Sequence, residues 1–102
     1  MSNLTTMVKD ITYFYIKHYY EKELQTLNVK KLDENTLRDL ITRLYVEKAT
    51  ELKKYIRDTL KENLGPEYSS FQVENIILEM FSNPEMAKHR VFLEIMEYQK
   101  SL

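Results

Sequence analysis

The sequence predicts an all-α domain of two similar helix–loop–helix motifs that share a long central helix, with a C-terminal helix after them. Three observations carry this expectation. Across residues 33–65, apolar side chains recur at the three-and-four spacing of one helical face. A single glycine and two prolines in 102 residues leave little turn material for a many-stranded β fold. The segments on either side of the central stretch repeat its pattern at nearly constant offsets.

The first helix is predicted over residues 4–27, with Ser2 or Asn3 as its cap. Its middle, ITYFYIKHYY, is rich in aromatic and β-branched residues and taken alone favours a strand. The following EKELQTL continues with strong helix formers and no turn residue intervenes, so the helix is the better reading. Tyr13, Phe14, Tyr15, Ile16, Tyr19 and Tyr20 cover most of the circumference, as expected of a helix packed between others. Some of the hydroxyls then belong at a half-buried margin, where they find a partner or water.

Residues 25–32 form the first connection. In the central helix Leu37, Leu40, Ile41, Leu44 and Tyr45 mark the inner face, and Ala49, Leu52, Tyr55, Ile56 and Leu60 continue it. Asp33 is placed to cap it, and Leu64-Gly65-Pro66 stops it. Unbroken, it would be about 45 Å long at 1.5 Å per residue. A compact chain of this size is roughly 35 Å across, so a bend is expected near residues 46–50.

Ser69 and Gln72 fit a capping box that opens the third helix. Ser82-Asn83-Pro84 ends it and starts a fourth, with Asn83 as cap and Pro84 at the first helical position. That last helix is expected to bury Val91, Ile95 and Tyr98 on one side and Met86, Leu93 and Met96 on the other. Met80, Met86 and Met96 are concentrated in the second half. They suit core filling first, and an adaptable peptide groove second.

Residues 15–24 lay onto 55–64 at an offset of 40, and residues 36–45 onto 72–81 at an offset of 36. Two amphipathic helices always align at some offset because they share a 3.6-residue period. The collinear order and the matching caps Asp33 and Ser69 favour a real repeat, approximately 9–48 and 49–102, within one domain spanning 1–102. In length, absence of cysteine, abundance of Lys, Glu, Tyr and Ile, and this cryptic repeat, the chain resembles the small orphan proteins of filamentous viruses that infect hyperthermophilic archaea, such as the Acidianus filamentous viruses. The resemblance implies an archaeal host cytoplasm or a virion and carries over no functional residue; separately, the abundance of Lys and Glu suits a heat-stable protein, against which six asparagines count.

Composition narrows the function. Net charge is −1, with eight basic and eight acidic groups in residues 1–51 and seven and eight in residues 52–102. Neither half has the basic footprint of non-specific DNA binding. No apolar run reaches the ~20 residues of a membrane span and no signal peptide precedes the first helix, so a cytoplasmic location is expected. Without cysteine there is no disulfide or thiolate metal site. Glu85 and His89 lie one turn apart but lack a third ligand. Tyr13 and Lys17 have a dehydrogenase-like spacing but no glycine-rich phosphate loop. No catalytic residue, metal or cofactor is expected.

The sequence is therefore read as a protein- or peptide-binding module with a groove between its two motifs. A self-associating structural protein is the alternative, and nucleic-acid binding through stacked tyrosines with Lys30 and Lys31 a second one. Tyr15 and Tyr55 are equivalent under the repeat, each one residue from a core isoleucine, Ile16 or Ile56. About 100° of helical turn puts both rings at the edge of the core. Phe92 and Met96, one turn apart on the last helix, are expected to wall the same cleft.

Overall fold

Asn3 starts the first helix: its side chain accepts the amide of Thr6 at 2.8 Å, which satisfies one of the free donors of the first turn. The structure, a computed structural model, describes residues 3–102; Ser2, the other cap candidate, lies outside the described residues. Helix α1 spans Leu4–Leu27 and includes the whole aromatic stretch, so the strand alternative fails. Asn28 ends it in the left-handed region, at φ 54° and ψ 49°. Its amide and that of Val29 close back on the carbonyls of Gln25 and Leu24, a Schellman-type end in which asparagine does the work usual for glycine.

Asp33 caps α2, Glu34–Thr42, by accepting the Thr36 amide at 2.8 Å. The long central helix is not continuous. After Thr42 the chain widens into a π-helical turn, Arg43–Glu47, closed by the Lys48 amide on the Arg43 carbonyl five residues back. Lys48, at φ −106° and ψ 25°, then breaks the run, and α3 takes over as Ala49–Leu64. The bend falls within the expected zone. The molecule is still elongated, 43 × 24 × 23 Å.

Gly65 ends α3 at φ 53° and ψ −125°, a conformation costly for any residue with a Cβ, and a short 3₁₀ turn, Gly65–Glu67, follows. Ser69 accepts the Gln72 amide at 3.3 Å to open α4, Ser70–Ser82, but among the described residues Gln72 returns no side-chain bond, so only half of the capping box forms. Asn83 precedes α5, Pro84–Lys100, without a side-chain cap, and Pro84 sits in the first turn, where no amide is needed. Among the described residues there is no strand.

The helices close on one core. Val8, Ile16 and Tyr20 of α1 meet Leu37, Ile41, Leu44 and Tyr45, then Leu52, Ile56 and Leu60 of α3, with Val73, Ile77 and Ile95 from the last two helices. Helix α1 lies chiefly against α3, and α5 against α2. Two expectations need correction. Tyr55 is 42% exposed, so the inner stripe of α3 runs through Leu52, Ile56 and Leu60 without it. Helix α5 buries Val91, Phe92, Ile95 and Gln99, while Tyr98 and Met96 are only half-buried against the core and Met86 and Leu93 are exposed.

Candidate functional site

The site is built where the first half of the chain meets the last two helices. Tyr45 lies buried within the π-helical turn, and its hydroxyl donates to the Met80 carbonyl at 3.0 Å near the end of α4. Its ring stacks on Phe81 with centroids 4.5 Å apart and planes within 14°. With Tyr45 as one wall, Ile76 and Met80 of α4 and Met86, Ala87 and Val91 of α5 enclose an apolar hollow of about 290 Å³. Thr5 and Lys9 of α1 border it on one side, Glu79 and Arg90 on others. The buried Thr12 hydroxyl is already spent on the Val8 carbonyl, at 2.8 Å. The hollow therefore offers apolar area and adaptable thioethers, bordered by the charged Lys9, Glu79, Arg90 and Glu94.

A second hollow, about 240 Å³ between α2 and α5, is polar, and its charges are matched internally. Arg38 bonds Glu34 at 3.1 Å and lies 3.8 Å over the Phe92 ring, and Lys88 bonds Glu85 at 2.8 Å. Glu85 is thus paired with Lys88.

No family model, no curated protein and no solved structure matches this chain.

Of the four residues expected to share a cleft, Phe92 borders the polar hollow, and Tyr15, Tyr55 and Met96 border neither of the two hollows. Tyr15 and Tyr55 do meet, with centroids 5.2 Å apart, but Tyr15 is buried and also contacts Tyr19 at 5.1 Å. Phe92 is buried beneath Arg38 and borders only the polar hollow. Met96 touches the Gln99 amide through its sulfur, at 3.7 Å. What sequence reasoning missed is the apolar hollow itself; the signal for it was the methionine concentration, since Met80 and Met86 converge there and Met96 does not. Lys17 of the tyrosine–lysine pair lies 4.1 Å over the Tyr98 ring.

Burial raises the phenol of Tyr15 to about 12, with a smaller contribution from the neighbouring Tyr19, and burial also raises Tyr20 and Tyr45. These phenols are neutral in the folded chain, whereas unfolded tyrosine titrates near 10. The unfolded state therefore releases protons first, and stability present below about pH 10 is lost as pH rises through about 12. Urea midpoints recorded across that window should fall steeply, and less steeply in Tyr15→Phe. An equal fall in both would remove Tyr15 as a cause.

Proposed function

We propose that the protein is a binding module for a protein or peptide segment, with no catalytic step of its own, and that the hollow between α1, α4 and α5 receives the segment's apolar side chains. The observation that carries this reading is the convergence of Met80, Met86, Ile76, Ala87, Val91 and Tyr45 on one open apolar space. Methionine-lined surfaces repack around different partners at little cost. The π-helical turn that contains Tyr45 is a local distortion of a kind that recurs at functional positions.

The two-motif organisation belongs to the same proposal. It is supported by two contacts between residues paired by the offsets: Tyr15 with Tyr55, and Tyr45 with Phe81. Residues beside a two-fold axis touch their own counterparts, and the hollow opens between elements of both halves. A virion or archaeal host cytoplasm, the setting that the viral resemblance implies, would suit such a module. The nucleic-acid alternative has less support, since the rings of Tyr15, Tyr19, Tyr20 and Tyr45 already pack on other aromatic rings of the chain.

Selection of random dodecamer peptides on the protein tests the reading. Enriched peptides should carry apolar residues at helical spacing and bind with Kd on the order of micromolar. Ala87→Trp, which fills the hollow, and Met86→Glu, which places a carboxylate at its mouth, should each weaken them at least about tenfold, or about 1.4 kcal/mol. No enrichment, or binding indifferent to both variants, would overturn the proposal.

A further inference from the structure

Helices α2 and α3 follow one another in a single helical run, yet their buried faces are out of step. In an unbroken α-helix, at about 100° per residue, the buried set Leu37, Leu40, Ile41, Leu44 and Tyr45 would centre roughly 90° from the buried set Leu52, Ile56 and Leu60. One residue too many between the two sets accounts for that angle. The π-helical turn is where it is held: the Lys48 amide reaches the Arg43 carbonyl five residues back, so this turn contains one residue more than an α-helical turn. With the extra residue taken out of the count, the two sets fall within about 10° of each other. Tyr55 shows the same shift from the other side. It follows Leu37 by 18 residues, five turns of an unbroken helix, and would stand directly in line with it, yet it is 42% exposed while Leu37 is buried. Val46 and Glu47, inside the turn, are both exposed, so neither is a core residue.

We propose that the π-helical turn is a one-residue insertion in what is otherwise a single α-helix, and that the apolar hollow depends on it while the fold does not. Its bearing on binding rests on the reading of the hollow as a protein-binding surface. Tyr45, which walls the hollow, lies on the α2 side of Val46. Its two partners, the Met80 carbonyl at 3.0 Å and the Phe81 ring at 4.5 Å between centroids, are on α4. Helix α4 is tied to α3, beyond the insertion, by the short 3₁₀ connection and by the Arg57–Glu74 pair with bonds of 2.8 and 2.7 Å. Removing one residue draws α3, and α4 with it, about 1.5 Å along the axis toward Tyr45 and takes away the break at Lys48. The Tyr45 hydroxyl then no longer meets the Met80 carbonyl. The hollow, whose α4 wall is Ile76, Glu79 and Met80, loses its shape. Leu52, Ile56 and Leu60 meanwhile come into line with Leu37 and Ile41 on one face, so the core still closes.

Deletion of Val46 from the full chain tests this, with deletion of Glu47 as the second variant should the first fail to fold. Helix content by circular dichroism should match the wild type, and unfolding in urea should remain cooperative. A crystal structure of the variant should show one unbroken helix over residues 34–64, with Leu52, Ile56 and Leu60 still buried and the Tyr45 hydroxyl away from the Met80 carbonyl. The peptides selected on the wild type should bind it at least about tenfold more weakly. Loss of cooperative unfolding in both variants would mean that the fold needs the extra residue, and would overturn the proposal. A folded variant that binds the peptides as the wild type does would overturn it too. If selection on the wild type yields no peptide, the binding reading falls by itself and the crystal structure decides the rest. A kink that persists there, or a Tyr45 hydroxyl still on Met80, overturns the proposal.

Discussion

Ile41→Ala is expected to lower the unfolding free energy by about 2–5 kcal/mol, as lost burial plus the cavity left behind. Ile41 is only 1% exposed, and it sits in the nine-residue α2, too short to hold its shape by itself in water. Leu37, Leu40 and Ile41 are its buried residues, so the helix persists because the core holds it. Ile77, 3% exposed on α4, should respond in the same range to alanine. A domain of this size has roughly 5–15 kcal/mol in total, so either change removes a large fraction of it. In thermal melts each kcal/mol corresponds to a shift of roughly 4–8 °C. Urea titration gives the direct measurement, and a neutral result for either residue would mean that the apolar stripes have been assigned to the wrong faces.

Those stripes were readable because period and capping are local. Asp33 and Ser69 reach amides three residues on, and Leu37 to Tyr45 repeat within two turns, so sequence alone placed them. The end of α1 at Leu27 is legible, but the left-handed conformation of Asn28 is not, since asparagine marks such an end less strongly than glycine. The bend followed from helix length against domain diameter. Its form did not, because the π-helical turn is bound up with the Tyr45 bond to Met80, 35 residues away. The inner and outer faces of α5 were confused for a similar reason. Apolar residues lie on both sides of it, and only the number of neighbouring helices decides which side is covered. The repeat paired Tyr15 with Tyr55 but could not say that one ring would be buried and the other exposed, nor that Phe92 would lie under Arg38.

Gln99 shows most clearly what local pattern cannot reveal, and its replacement should have the other large effect. In sequence it is one polar residue in the last turns of α5. In the structure it is buried and links three segments. Its Oε1 accepts the Tyr20 hydroxyl at 2.8 Å and the Leu32 amide at 2.7 Å, while its Nε2 donates to the Leu32 carbonyl at 3.2 Å. The first connection is thereby fixed against α1 and α5, and Leu32 is buried although it lies between helices. Gln99→Leu keeps the volume approximately but strands a phenol, an amide and a carbonyl away from water. Each unsatisfied group costs about 1–3 kcal/mol, so a loss of about 3 kcal/mol or more is expected in urea unfolding. Exchange of the Leu32 amide with solvent should speed up in parallel, which a simple packing defect elsewhere in α5 would not cause. Tyr20→Phe separates the contributions. Alone it should cost about 0.5–1.5 kcal/mol, yet on the Gln99→Leu background it removes one stranded group and should cost less, a coupling of about 1 kcal/mol. Strict additivity of the two changes would show that the buried amide does not hold the phenol, and that Leu32 is kept in place by packing alone.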